Sequence, residues 1–158
     1  MPKLTLKKVT AKNFDQIVRL SNTLTTEQQK CVAPNIASLA QAYVNQKRAW
    51  PRAIYLGNQP IGFIMLALWD DDIPKDDWPA YYLWRFMIAK DYQKQGIGTR
   101  ILDMIKQKCI KDGIKTFYTS CDMTYDEPYR FYINYGFIDT GITDDDEQVL
   151  KMYISDWQ

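Results

Sequence analysis

A short turn containing two glycines is the stretch of this sequence best suited to bind a ligand. Gly96 and Gly98 follow an apolar run and directly precede a helical pattern. Glycine lets the backbone approach a ligand without a Cβ clash, and the first N–H groups of a helix have no intrahelical acceptors. The turn could therefore hold an anion such as a pyrophosphate. A tight strand-to-helix turn without a ligand would use the same two glycines, so on their own they leave both interpretations open.

The sequence also predicts the elements on either side of this turn. Residues 81–88 are rich in aromatic and β-branched side chains and too apolar for an edge, which indicates a central strand. After the turn, apolar side chains recur at helical spacing, at Ile97, Ile101, Leu102, Ile105 and Cys109. Gly113 is placed to end this helix. The chain thus passes from a central strand through the glycine turn into one amphipathic helix.

The choice of acid–base groups is narrow, because the sequence contains no histidine. This excludes Ser-His-Asp and Cys-His sites and makes a catalytic zinc improbable, so we predict no metal site. Any proton transfer must use tyrosine, aspartate, glutamate, lysine or water. Cys31, Cys109 and Cys121 are odd in number and widely spaced, which predicts reduced thiols rather than a disulfide framework.

Composition predicts one globular domain spanning residues 1–158. Hydrophobic residues make up 46% of the chain, charged residues 25%, and the formal net charge is +1, so no nucleic-acid partner is expected. No apolar run approaches the roughly 18 residues of a membrane span. The N-terminus lacks the hydrophobic core of a signal peptide, so we expect no membrane partner and a cytoplasmic location.

The remaining pattern alternates short strands and helices. In the first half we expect a strand at 4–9, a helix after Asn13 that frays near Thr23, an irregular stretch at 25–34 and a helix from an Asn35 cap to about Lys47. A hairpin at 53–56 and 61–68 should follow. After the glycine turn and its helix we expect a strand at 115–121, a helix at 126–135 closed by Gly136, and a hairpin at 137–142 and 149–154. In the first helix Phe14, Ile17, Val18 and Leu20 should turn toward the core; in the second, Ile36, Leu39, Ala40 and Tyr43 share one side. This order predicts a single mixed layer of sheet with helices on its faces.

A strongly acidic segment precedes the central strand. Residues 69–79 contain five aspartates, one lysine and two tryptophans. Such a charge run is usually a solvated loop. Carboxylates and tryptophan faces also attract ammonium groups, so the segment could instead form the entrance for a cation such as a polyamine.

The turn and the last helix resemble those of one enzyme family. The turn reads Q-x-x-G-x-G from Gln93 to Gly98, after a strand ending F-M-I, and Tyr132 lies four residues before a Gly-Phe pair in RFYINYGF. From the hairpin at 53 onward the sequence resembles the GNAT (GCN5-related N-acetyltransferase) family. The resemblance implies a single-domain α/β fold, with a mixed, mostly antiparallel sheet, splayed central strands and helices on both faces. It also implies acetyl-CoA as co-substrate.

The same resemblance implies which residues contact the donor. In that family the pantetheine pairs with main chain exposed between two splayed strands, which here would be that of Phe86, Met87 and Ile88. The pyrophosphate would lie at the turn formed by Gln93, Lys94, Gln95, Gly96, Ile97, Gly98 and Thr99. Tyr125 stands where many members have a cofactor-contacting asparagine. Tyr132 would face the thioester sulfur as the catalytic residue.

The N-terminal half resembles the substrate-side segment of bacterial spermine/spermidine acetyltransferase-like members. The similar runs are EQQKCVAPN at 27–35 and SLAQAY at 38–43. This implies acetyl transfer to a primary amine of a small polyamine or diamine, by direct attack in a ternary complex. The residues implied to bind the amine are Glu27, Gln28, Trp84 and Asp122. Trp84 replaces a carboxylate found in related polyamine enzymes, so the general base is not identified.

Three other interpretations stay open. A protein N-terminal or lysine acetyltransferase would use the same donor site beside an open groove. A catalytically weak acyl-CoA-binding sensor would keep the turn without the chemistry. A covalent acetyl-Cys121 route lacks a histidine to lower the thiol pKa. The family contains many dimers, so a homodimer is also an option.

Overall fold

Seven strands form one mixed sheet in the order β1-β2-β3-β4-β5-β7-β6. The computed structural model describes residues 2–154. The strands are β1 (Leu4–Lys7), β2 (Ala49–Leu56), β3 (Gln59–Ala67), β4 (Ala80–Ile88), β5 (Thr116–Asp122), β6 (Ile138–Asp144) and β7 (Glu147–Tyr153). The helices are α1 (Phe14–Arg19), α2 (Thr26–Cys31), α3 (Asn35–Val44), α4 (Ile97–Lys111) and α5 (Glu127–Tyr135), with 3₁₀ turns at Leu20–Thr23, Lys75–Asp77 and Lys90–Tyr92. The predicted α/β fold with a mostly antiparallel sheet is confirmed.

Residues 2–66 and 85–101 form one compact unit. In it, β1 pairs antiparallel with β2, from Leu4 opposite Leu56 to Lys7 opposite Ala53. Strand β3 is buried along almost its whole length, as expected for an inner strand with both faces covered. At Gly62 the backbone passes close to β4, since a Cβ there would lie 2.5 Å from the Met87 carbonyl oxygen. A glycine is therefore required at this approach.

Residues 67–84 and 102–154 form the second compact unit. The first half of β4 pairs parallel with β5, from Ala80 opposite Thr116 to Leu83 opposite Thr119. β5 pairs antiparallel with β7, and a β6–β7 hairpin completes the sheet. In α4 the predicted apolar stripe is buried, and Gly113 with φ +71° follows the helix as predicted.

The stretch 25–34, predicted to be irregular, contains helix α2, so that prediction was wrong. Thr25 is the N-cap: its hydroxyl accepts a hydrogen bond from the Gln28 N–H at 3.2 Å, and the Gln28 side chain accepts one from the Thr25 N–H at 3.1 Å. This reciprocal pair is a capping box. The polar composition that suggested a loop arises because none of the α2 side chains is buried.

Asn35 is the first residue of α3 rather than its cap, which is Pro34. Its N–H donates to the Ser21 hydroxyl at 2.7 Å and its side-chain amide donates to the Ile17 carbonyl at 2.7 Å. Only 1% of its surface is exposed, so it is a buried connector between α3 and the preceding segment. Asn13 does occupy the N-cap position of α1, but its side chain bonds to Thr10 and neighbouring groups instead of capping the helix.

Two predicted apolar faces differ from the structure. Phe14 is 39% exposed rather than core-facing, whereas Ile17 of the same helix is fully buried. On α3, Ile36 and Tyr43 are 53% and 75% exposed, and the buried side is formed by Asn35, Ser38 and Ala42. Small and polar residues face inward here because buried Asn35 and Ser38 find hydrogen-bond acceptors.

Several element boundaries differ by a few residues. Helix α3 ends at Val44 rather than near Lys47, and β2 begins at Ala49, so that Pro51 lies inside a strand. None of the helices within residues 2–154 is long and apolar enough to cross a membrane.

Candidate active site

The glycine turn enters α4 through two residues with positive φ angles. Lys94 and Gly96 adopt positive φ angles of 61° and 79°, and the first helical bond of α4 runs from the Arg100 N–H to the Gly96 carbonyl. A Cβ at Gly96 would meet no atom within 4 Å, so the space beside the turn is open. The N–H groups of Ile97, Gly98 and Thr99 belong to the first turn of α4 and have no intrahelical acceptor. Together with the helix dipole they favour a negatively charged ligand.

The glutamine side chains of the turn are used within the protein. The Gln93 amide donates to the Ile88 carbonyl at 2.8 Å and exchanges hydrogen bonds with the Gln28 amide. Gln95 donates to the Asp91 carbonyl at 2.9 Å. These contacts fix the conformation of the glutamine side chains beside the turn.

The end of β4 extends beyond its pairing with β5. The last parallel pair is Leu83 with Thr119, while β4 continues through Phe86, Met87 and Ile88. Met87 is buried, and its sulfur accepts a hydrogen bond from Asn35 at 3.8 Å. Trp84, the residue directly after the last pair, is half-buried.

Tyr132 is buried in an aromatic cluster on α5, with 8% of its surface exposed. Its ring centroid lies 5.3 Å from that of Phe137 and 5.4 Å from that of Phe131. Burial raises the pKa of Tyr132 above its ordinary value, while a hydrogen bond with Thr119 acts in the opposite direction. The phenol is therefore neutral at physiological pH and can donate a hydrogen bond. The N–H groups of Gly136 and Phe137 both donate to the Tyr132 carbonyl, which fixes the helix end.

Asp122 is the last residue of β5 and Tyr125 lies in the connection from β5 to α5, and both have local partners. The Tyr125 hydroxyl donates to the Glu127 carboxylate. The Asp122 carboxylate accepts hydrogen bonds from the Thr124 N–H at 2.8 Å and hydroxyl at 2.7 Å, which hold the pKa of Asp122 below its usual value. A carboxylate with a lowered pKa is a poor general base.

The acidic segment is partly anchored to the sheet, a feature that sequence reasoning missed. Asp77 is 6% exposed and accepts hydrogen bonds from the Tyr118 hydroxyl at 2.5 Å and the Lys151 ammonium at 3.1 Å. These partners are far away in sequence, so no local pattern signals the contact. Asp71, Asp72 and Asp76 remain exposed. Glu27 is likewise exposed, in the first turn of α2.

Among the predicted site residues, hydrogen bonds directly join Gln28, Ile88 and Gln93. Tyr132 is placed by its contacts with Thr119, Phe131 and Phe137. A separate cleft of about 420 Å³ is lined by residues including Val9, Phe14, Leu39 and Tyr43. No predicted site residue lines this cleft.

The fold of this chain is similar to that of several solved structures. The aminoglycoside acetyltransferase AAC(6')-Ib in complex with coenzyme A has a TM-score of 0.76 and 16% sequence identity, covering 96% of this chain and 95% of that chain. The GNAT domain of PAT from S. lividans has a TM-score of 0.74 and 13% identity, covering 96% of this chain and 90% of that chain. The PaiA N-acetyltransferase from Thermoplasma acidophilum in complex with coenzyme A has a TM-score of 0.67 and 15% identity, covering 96% of this chain and 99% of that chain. At these identities the likeness shows the fold. No curated protein matches the sequence significantly.

The family model gives the assignment. Residues 17–137 match the Acetyltransferase (GNAT) family, a range that includes the glycine turn, β4, β5 and Tyr132. The chain therefore belongs to the GNAT family and is an acetyl-CoA-dependent acyltransferase.

Proposed function

We propose that the whole chain, as one domain, transfers acetyl from acetyl-CoA to a primary amine of a small polyamine or diamine. Binding of acetyl-CoA is supported mainly by the open turn at the start of α4, where Lys94 and Gly96 have positive φ angles. The exposed carboxylates of Glu27, Asp71, Asp72 and Asp76 support a cationic acceptor. Cys31, Cys109 and Cys121 are odd in number and widely spaced in the sequence, which supports reduced thiols and a cytoplasmic location.

Donor binding is assigned to backbone groups. We propose that the N–H groups of the turn 93–99 hold the pyrophosphate and that the main chain of Phe86, Met87 and Ile88 pairs with the pantetheine. Tyr125 would border the donor from the β5–α5 connection. Acetyl-CoA supplies an activated acetyl group with a thiolate leaving group.

Acceptor binding must also make the amine nucleophilic. An alkyl ammonium with a pKa near 10.4 is deprotonated only about once in 10³ at pH 7, which costs about 4 to 5 kcal/mol. An apolar wall such as Trp84 lowers an amine pKa by desolvation. The lowered pKa of Asp122 makes that carboxylate more suitable for holding an ammonium than for accepting its proton. Water is therefore the proposed proton acceptor.

Two groups are proposed to stabilise charge during transfer. The backbone N–H of Ile88 is the proposed donor to the carbonyl oxygen as negative charge develops. The Tyr132 phenol is the proposed donor to the departing sulfur. Because burial raises the pKa of Tyr132, this group acts by hydrogen bonding as a neutral phenol and not as a phenolate.

The test is steady-state thiol release from acetyl-CoA with spermine, spermidine, putrescine and lysine, at pH 7 and pH 9. We expect saturation with a polyamine at micromolar to low millimolar KM, and a lower KM at pH 9 if amine deprotonation limits attack. Coenzyme A binding without turnover of any amine would overturn the polyamine assignment. A protein acetyltransferase would then be recognised by acetylation of peptide N-termini or lysines, and a sensor by no turnover at all.

The acceptor part predicts a selective effect of Glu27→Gln. If Glu27 binds a distal ammonium, this variant raises KM for spermidine by up to about 5-fold, since an exposed ion pair contributes roughly 0.2 to 1 kcal/mol. KM for a monoamine should stay unchanged. The matched control is Asp15→Asn, which removes an exposed carboxylate in the first turn of α1. Equal losses on both kinds of amine would contradict the role given to Glu27.

A further inference from the structure

Helix α2 is held by few interactions of its own. It has six residues and no buried side chain. Isolated helices of this length are unstable in water, and segments with little buried surface belong to the least stable parts of a fold. The capping box of Thr25 and Gln28 stabilises its start. Its remaining support must come from contacts outside the helix.

Two hydrogen-bonded links join the α2 region to the segment that leads into the glycine turn. Gln28 donates to the Gln93 side-chain oxygen at 2.9 Å, and Gln93 donates back at 3.3 Å. Just before α2, the Thr23 hydroxyl accepts from the Lys90 N–H at 3.1 Å. The geometry of α2 is thus tied to the geometry of residues 90–93.

The hydrogen bonds fix the orientation of both amides. Gln93 must direct its NH₂ group at the Ile88 carbonyl, because a carbonyl only accepts. Gln28 must direct its oxygen at the Thr25 N–H for the same reason. With both amides fixed, Gln28 and Gln93 face each other in a reciprocal pair. The Gln28 oxygen has two donors and is fully used.

We propose that Gln28 is a positioning residue that couples the stability of α2 to occupation of the glycine turn by the donor. Ordering of the turn by a bound pyrophosphate fixes Gln93, and Gln93 fixes Gln28 and α2. Glu27, the neighbouring residue, is then held in place for the acceptor. This assignment rests on the proposed function for the roles of the turn and Glu27, and it replaces direct amine binding as the role of Gln28. Because linkage is reciprocal, acceptor binding at α2 also strengthens donor binding.

The test is amide hydrogen exchange with and without coenzyme A. The reporters are the N–H groups of Gln29 and Val32, which donate to the Thr25 and Gln28 carbonyls within the α2 region. In the wild-type chain, saturating coenzyme A should slow their exchange by about 10-fold, within the usual range for coupled sites. In Gln28→Ala the slowing should fall below about 2-fold, with binding of coenzyme A verified by calorimetry.

Thr25→Ala is the matched control. It removes the other half of the capping box and leaves the Gln28–Gln93 pair in place, so basal exchange rises while the slowing by coenzyme A persists. No slowing in the wild-type chain, or equal slowing in Gln28→Ala, would overturn the proposal. Loss of slowing in Thr25→Ala as well would assign the coupling to the capping box instead of Gln28.

Kinetics separate this proposal from the proposed function. At saturating acetyl-CoA, Gln28→Ala should raise KM for the polyamine about 5-fold and change kcat less than 2-fold. If no polyamine is acetylated, the proposed acceptor is wrong. The exchange measurement then still decides the coupling, since it needs only coenzyme A.

Discussion

The proposed donor turn and the region around Tyr132 are fixed in opposite ways. The turn and α2 depend on hydrogen bonds between partly exposed side chains, such as Gln28 and Gln93, and on positive φ angles at Lys94 and Gly96. Tyr132 is fixed by burial in an aromatic cluster. Backbone groups that bind an anion must stay accessible, whereas a phenol that must stay protonated gains from burial. The turn is therefore held by hydrogen bonds that leave its backbone accessible, and Tyr132 is held by burial that keeps its phenol protonated.

The largest expected effect is on stability, at the buried Asp77 of the second unit. Asp77→Ala leaves Lys151 and the buried Tyr118 hydroxyl without their shared acceptor, so we expect a loss of about 3 to 5 kcal/mol in the free energy of unfolding. Denaturant unfolding measures it. The control is Asp72→Ala, which removes an exposed carboxylate of the same segment and should lower the free energy of unfolding by less than about 0.5 kcal/mol.

Asp77 also predicts how stability depends on pH. Burial alone would raise its pKa, but the hydrogen bonds from Tyr118 and Lys151, with the Lys151 charge, lower it below the usual value. A carboxylate with a lowered folded-state pKa contributes stability above its unfolded pKa of about 4, and that contribution disappears as pH falls through the folded value. Acid unfolding of Asp77→Asn should therefore lack this component below about pH 4. An unchanged acid profile would show that other carboxylates dominate.

The second effect is on catalysis, at Tyr132. Tyr132→Phe should lower kcat by about 10²-fold or more and leave coenzyme A affinity unchanged, because the proposed hydrogen bond to the leaving sulfur acts during transfer and not in binding. Stability should fall by only about 1 kcal/mol, for the lost hydrogen bond with Thr119. Steady-state kinetics and calorimetry measure these quantities. An unchanged kcat would remove Tyr132 from the mechanism.

The smallest effect is expected at the turn. Gly96→Ala meets no neighbouring atom within 4 Å, so its cost is the backbone strain of a positive φ, about 1 kcal/mol. Coenzyme A affinity should fall as the turn relaxes, with kcat at saturation retained. Gly113→Ala, also at positive φ and in open space, is the control that shares the strain and lies outside the turn. If both variants lose affinity equally, the turn has no special role.

Sequence reasoning succeeded where burial and periodicity carry the signal. The repeating apolar residues of α4 and the dense apolar run of β4 predicted both elements, and Gly113 marked a helix end. The family resemblance supplied the residues of the proposed site. These signals are local in sequence, so they can be recognised in a single sequence without an alignment.

The failures occur where polar contacts or distant partners decide the structure. α2 was missed because its T-x-x-Q capping box lies in a segment without apolar periodicity. Ile36 and Tyr43 share a helix face as predicted, yet buried Asn35 and Ser38 face inward because their hydrogen bonds are satisfied. The inward position of Asp77 depends on Tyr118 and Lys151, which are 41 and 74 residues away in sequence. Composition cannot reveal such pairings.

The close approach at Gly62 limits which sequences can share this fold. Any side chain there would meet the Met87 carbonyl, so β3 would have to move away from the segment 86–88 proposed to contact the pantetheine. In a library carrying all amino acids at position 62, selection for folding alone should already enrich glycine, and selection for activity should enrich it further. Position 62 would then behave genetically as an active-site position, because its residue controls how closely β3 approaches the segment 86–88.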